Sequence, residues 1–249
     1  HHALPGRANG FCIYNDIAIT AKYLSERYNM KVMIIDTDAH HGDGVQWSFY
    51  TQNEILNYSI HETGKFLFPG SGHYTERGKE QGFSYSVNVP LEPYTEDDSY
   101  IDCFKRTVTP VVKSFKPDII LSVHGVDIHY LDPLTHMNCT LDSLYAIPYY
   151  IKALADEYTD GKVMMFGGGG YNIWRVVPRA WSHVFLSLMD VPIQHGDLPK
   201  EWVEKWRTYA PTDLPTTWED KRLDYMEIPR TAEITAKNLK HANQVASWF

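Results

Sequence analysis

Four times along this chain a short apolar run ends in a burst of Gly, His and Asp or their polar equivalents. VMII runs into DTDAHHGDG, ILNYSI into HETG, IILSV into HGVD and VMMF into GGGGYN. The runs at Lys31 to Ile35, Ile55 to Ile60, Tyr85 to Val89, Asp118 to Val123 and Lys162 to Phe166 read as short buried strands. Between and around them lie stretches with helical periodicity: Asp16 to Tyr28, Gly44 to Tyr50, Glu96 to Phe115, Thr140 to Tyr158 and Ile173 to Met189. This alternation predicts an α/β fold with a mostly parallel sheet flanked by helices. In such sheets ligands sit outside the carboxyl ends of the strands. The polar clusters fall there, and their agreement weighs more than any one of them.

Local signals refine the outline. Asn15 or Asp16 can cap the first helix, and Thr95 opens the third, with acids in its first turn. Pro148 is a candidate kink. His61 to Gln81 is a long glycine-rich loop, of the kind that often carries function. Gln194 to Ile228 reads as a surface-wrapping tail with a short helix at Glu201 to Tyr209, and Thr231 to Trp248 as a last amphipathic helix. A length of 249 residues suits one large domain. Cys12, Cys103 and Cys139 fit neither a disulfide framework nor a zinc knuckle, which points to a cytoplasmic enzyme. No apolar stretch is long enough to span a bilayer, so no membrane partner is expected. A net charge of −8 argues against direct, nonspecific nucleic-acid binding.

Asp36, Asp38 and His40 follow the first strand two residues apart. On extended backbone all three point the same way. Buried together, such charges need a cation or a proton, and carboxylates with a neutral imidazole suit zinc or iron. The plain alternative, a solvated turn, holds about equal weight for an isolated motif of this kind. The following HGDG tips the balance, because its glycines permit tight backbone paths. Asp127 can add a ligand from a neighbouring strand, leaving positions open for water and substrate. On spacing alone, Asp36 and Asp38 are equally good ligands. His1 and His2 are either a tandem acid–base pair or a purification remnant; Asp36 and Asp43 are spare acids able to orient them. Gly167 to Gly170 lack the ending of a P-loop, so the run reads as a close backbone approach to a ligand. Tyr171 follows it either as a hydroxyl donor to an oxyanion or as a packed rim aromatic.

Taken together, HHA…GFCIYND, DTDAHHGDG, SIHETG…FPGSG, VHGVD…DPL and FGGGGYNIW resemble the zinc-dependent histone deacetylase family, most closely its bacterial acetoin-utilisation (AcuC-type) branch. The similarity runs from His1 to about Asp190, and LPKEWVEKWRTYAP and LPTTWED in the tail extend it. The resemblance implies an arginase/deacetylase-like fold. It makes Asp38, His40 and Asp127 the ligands of zinc, or of iron. It makes His1, His2 and Tyr171 catalytic, with Asp36 orienting His1 and Asp43 orienting His2. Phe11 and Phe68 become the walls of an acyl-lysine channel, with Leu134 at its rim. A potassium ion is implied at Asp36, Asp38, His40, Ser59 and Ile60, and a second, weaker monovalent site around Phe49, Gln52, Ile55 and Tyr85. In that pattern Asp36 is not a ligand of the divalent metal.

The implied reaction is metal-dependent hydrolysis of N-acetyl-lysine amides, releasing acetate, on a metabolic protein of acetoin or acetate metabolism. Two rivals stand beside it: an acetylpolyamine or other small-molecule amidohydrolase, and an inactive binding fragment. An arginase-like hydrolase would want two metals and more carboxylates. Family members carry a long segment ahead of the tandem histidines. Residues 1–249 are therefore expected to be one partial deacetylase domain, incomplete at its N-terminus, with 191–249 as its C-terminal wrapping segment. His124 stands where the family usually has a smaller Asn or Cys, and is expected either to crowd the metal pocket or to add a ligand.

Overall fold

A computed structural model describes residues 1–221 and 227–249. Five strands form one sheet: β1 Val32–Asp36, β2 Ile55–Glu62, β3 Ser86–Leu91, β4 Ile119–His124 and β5 Val163–Gly167. They lie in the order β3-β2-β1-β4-β5, and every neighbouring pair is parallel. Strands β1 to β4 are buried along nearly their whole length, the edge strand β3 included, which is why they read as continuous rather than alternating apolar stretches.

Side chains alternate between two cores. Val32, Ile34, Ile55, Leu121 and Val123 face helices α1 (Asp16–Tyr28) and α2 (Asp43–Phe49). Met33, Ile35, Leu56, Tyr58 and Ile60 face the other way, into a larger core with helices α3 (Asp97–Phe115), α4 (Leu141–Tyr158), α5 (Val177–Leu188) and α7 (Thr231–Ala246). Helix α7 packs along α3 and covers the β3 edge. At the opposite edge, β5 is only half-buried.

The expected elements are all present, with shifted ends. Strands β1 to β4 run one or two residues further than their apolar runs, because pairing continues through polar residues: His61 with Pro90, Glu62 with Leu91, His124 with Gly167. Helix α5 begins at Val177, not Ile173. The Asn172 carbonyl accepts from both Val176 and Val177 amides in a turn, and Pro178 sits in the first turn of the helix that follows. Asn15 caps α1, accepting from the Ala18 amide at 2.9 Å. Thr95 does not cap α3; Glu96 holds that position, and the Thr95 hydroxyl donates to the Glu92 carbonyl instead. Helix α4 runs unbroken through Pro148. Helix α6 spans Lys200–Arg207. Part of the expected tail, residues 222–226, lies outside the described residues.

The tail is bolted down by Asp220. Its carboxylate accepts from His129 Nε2 (2.9 Å), the Leu141 amide (2.9 Å) and the Arg179 guanidinium (3.0 Å). Arg179 is buried and also donates to the Glu219 carbonyl at 3.0 Å. No helix among the described residues is long and apolar enough to cross a membrane.

Candidate metal centre

At Thr37 the chain leaves the β1 strand direction, because the Asp36 carboxylate accepts from the Asp38 amide (3.1 Å) and the Asp38 carboxylate in turn accepts from the His40 amide (2.8 Å). These turns overturn the expectation of an extended DxDxH. Asp36, Asp38 and His40 do not point one way. The Asp36 carboxylate meets His1 Nδ1 at 2.6 Å. Asp38 and His40 turn instead toward Asp127, which follows β4.

Asp38, His40 and Asp127 are buried, and one ligand atom from each lies within 4.8 Å of the other two. His40 Nδ1 is 2.9 Å from Asp127 Oδ2 and 3.1 Å from Asp38 Oδ1. Burial, then the neighbouring Asp38 charge, pushes the Asp127 carboxyl up to about 7. Burial opposes the Asp38 charge as well, but His1 and His40 hold that carboxyl well below the usual range. Burial would lower His40, yet its two carboxylate partners raise it to about 10. In the protein alone His40 is thus drawn toward its protonated form by the two buried carboxyl groups beside it. A divalent cation would meet the same charge with all three donors and free that proton. The donor set, one imidazole nitrogen and two carboxylates, suits such an ion. Glycine is required alongside: a Cβ on Gly169 would come within 2.2 Å of Asp127 Oδ2.

Beside this cluster stand two histidine–carboxylate pairs. His1 Nδ1 contacts Asp36, and its Nε2 lies 3.8 Å from Asp38. Burial works against its charge, but Asp36 and Asp38 raise it to about 10. His2 Nδ1 contacts Asp43 Oδ1 at 2.7 Å, and burial lowers its pKa. The His1 and His2 rings lie 3.9 Å apart. Asn15 fixes the segment from below, donating to the His1 and Ala3 carbonyls.

The aromatic residues frame the same place. The Phe68 ring is 5.0 Å from His2, and the Tyr171 ring is 6.4 Å from His40 and 6.2 Å from Phe11. Phe11 is 88% exposed, so one wall of this opening stands free in the described residues. Leu134 is also exposed. Ser59 is buried opposite Asp36 in the sheet register. His124 neither crowds nor joins the cluster: its Nε2 lies 2.9 Å from Ser122 Oγ, and burial lowers its pKa to about 4.

Sequence reasoning missed Asp132, Gln46, Glu76 and His61. Asp132 accepts from the Tyr171 and Leu134 amides. Gln46 and Glu76 pair at 2.7 Å beneath the His61–Gly72 contact, and Gln46 also accepts from Ser86 and Asn88. Gln46 and Glu76 are ordinary polar types at no diagnostic spacing, and Asp132 and His61 sit inside the DPL and SIHETG motifs, where only the folded chain shows what they touch.

A model of the histone deacetylase domain matches residues 1–188. The chain belongs to the histone deacetylase family. It is 72% identical over its whole length to the acetoin utilization protein AcuC of Staphylococcus aureus (strain COL), of which it spans 64%. It is 47% identical to the AcuC protein of Bacillus subtilis (strain 168), over 96% of this chain and 61% of that one. The chain thus spans somewhat less than two thirds of these relatives. A crystal structure of a histone deacetylase homologue from Aquifex aeolicus superposes with a TM-score of 0.80 at 26% identity, covering 95% of this chain and 64% of that chain. A homologue solved as a complex with SAHA superposes equally well, covering 97% of this chain and 65% of that one. The fold is the parallel, helix-flanked sheet of the arginase/deacetylase type.

Proposed function

We propose that this chain carries the catalytic centre of an enzyme that hydrolyses N-acetyl-lysine amides and releases acetate. The observation that supports it most is the buried Asp38–His40–Asp127 donor set beside two histidine–aspartate pairs. Asp38, His40 and Asp127 would hold the divalent ion, zinc by preference and iron as the alternative. When bound, that ion supplies Lewis-acid polarisation and lowers the pKa of water.

The chain's own residues supply the rest. Asp43 fixes His2 through Nδ1, leaving Nε2 to take a proton from water and return it to the departing lysine amine. A neutral His2 suits the first step, and burial favours that form. His1, paired with the more deeply buried Asp36, keeps positive charge beside the site. The Tyr171 hydroxyl donates to the carbonyl oxygen as charge develops there. Phe11 and Phe68 enclose the apolar stem of the lysine, and Leu134 lines the rim. A potassium ion among Asp36, Asp38, His40, Ser59 and Ile60 would stiffen the turn that aims the ligands; the Asp36–Ser59 register supports that placement.

The substrate class is an acetylated protein of acetoin or acetate metabolism, a reading drawn from the naming of the AcuC relatives. The rival is an acetylated polyamine or similar small amide. Residues 191–249 act as the wrapping segment of the same domain. The test measures metal content and acetate release from an acetyl-lysine peptide and from an acetylpolyamine, for the wild type and Asp127→Ala. One bound metal with peptide turnover lost in the variant is the expected result. Polyamine turnover alone would transfer the reading to the rival. Neither metal nor turnover would leave a binding fragment.

A further inference from the structure

The β5–α5 loop carries Tyr171 at the end of a glycine run that has no side chains to pack. Its placement therefore depends on backbone anchors. The Gly168 amide donates to the His124 carbonyl at 3.0 Å, the Gly169 amide to Asp38, and the Gly169 carbonyl accepts from the Val126 amide at 2.7 Å. The next anchor is the Tyr171 amide itself, which donates to Asp132 Oδ2 at 2.9 Å. The other oxygen of that carboxylate accepts from the Leu134 amide at 3.0 Å. Asp132 is buried, and its own amide donates to the His129 carbonyl at 2.8 Å. His129 is in turn fixed by Asp220. A second strut crosses the same gap, from Asn172 Nδ2 to the Leu131 carbonyl at 3.0 Å. The Thr135 hydroxyl then ties the far side of Leu134 to the Asp127 carbonyl.

We propose that Asp132 is a positioning residue whose two carboxylate oxygens lock the Tyr171 loop to the Leu134 rim loop, so that the oxyanion donor and the channel mouth are set as one unit. This rests on the reading of Tyr171 as the group that donates to the amide carbonyl. Two N–H donors need two acceptors, and a carboxylate supplies both without a competing donor. An amide in its place offers one acceptor and turns two N–H bonds toward the other partner. One of the two loops is then released, while Gly168 and Gly169 stay anchored.

The test uses Asp132→Asn in the metal-loaded protein, with two readouts. The first is amide hydrogen exchange at Tyr171, Leu134 and Val126. Release of a loop is expected to speed exchange at Tyr171 or Leu134 by about 10-fold or more and leave Val126 unchanged. The second is a double-mutant cycle with Tyr171→Phe on acetyl-lysine peptide. Asp132→Asn alone is expected to lower kcat by up to about 100-fold with KM little changed, as misplacement of a catalytic group does. The Tyr171→Phe penalty should be much smaller in the Asp132→Asn background than in the wild type. Full penalties that multiply, or unchanged exchange at both amides, overturn the proposal. Absence of turnover in the wild type overturns the deacetylase reading instead, and the exchange result still decides the coupling.

Discussion

Asp127 is the residue on which charge balance at the centre turns. Without a cation its carboxyl is forced upward by burial and by Asp38, so the metal-free protein carries a cost that the metal-loaded one does not. Removing a carboxyl group whose ionisation burial disfavours lessens the cost of the metal-free state, whereas removing a ligand costs most of the bound metal. For Asp127→Asn we expect a crossing. Metal-loaded, the variant melts below the wild type and retains far less than one metal per chain. Stripped by a chelator, it melts at or above the stripped wild type. Calorimetry paired with metal analysis checks both arms, and a variant less stable in both would mean Asp127 is held by packing alone. Spacing could not have separated Asp36 from Asp38 as partners of this residue. The deciding feature is the pair of Asp-to-amide turns at residues 36–40, which send one carboxylate to His1 and the other to His40. Family resemblance, not periodicity, had assigned them.

Element boundaries show where sequence patterns run out. Apolar runs located all five strands: β1 to β4 because burial leaves little else in them, and β5 because its half-buried VMMF run is still wholly apolar. Their ends were missed because polar residues such as His61, Glu62 and His124 continue the ladder at the site. The start of α5 was missed because Asn172 diverts the chain into a turn that periodicity does not register. Helix α1 was placed correctly by its periodicity, and of its two candidate caps Asn15 is the one that serves, with a second task besides. Asn15 accepts from the Ala18 amide while its own amide holds the His1 and Ala3 carbonyls. Asn15→Ala should therefore cost about 1–2 kcal/mol as a lost cap, read as a shift in urea midpoint. It should also loosen the tandem histidines and lower acetate release. Asn15→Asp keeps the cap but not the amide donor, so it should recover stability more fully than activity. Equal recovery of both would show that the cap alone matters.

Across the whole molecule, the same interior that holds a charged centre also holds histidines kept neutral. Burial lowers His61 to about 3 and His124 to about 4, while each ring still meets a hydroxyl, of Ser59 and Ser122 respectively. In the unfolded chain both would titrate near 6.5. Below that value the unfolded state binds protons that the native state refuses, so stability is present above about pH 6.5 and falls as pH drops toward 4. His1 and His40, raised to about 10, act in the opposite window: below 6.5 they are protonated in both states and add no slope in the protein alone. Each lowered histidine should therefore contribute about 1.4 kcal/mol of lost stability per pH unit across the acid window. His124→Asn keeps a polar group beside Ser122 but removes one titration. Urea unfolding of the two proteins at pH 7.0, 6.0 and 5.0 should show their difference narrowing, or reversing in favour of the variant, by roughly 2 kcal/mol between the ends. Subtracting one curve from the other cancels the carboxylates common to both, Asp127 among them. A constant difference across the series would mean that His124 accepts its proton inside the fold, with Ser122 or water stabilising the charge that burial opposes.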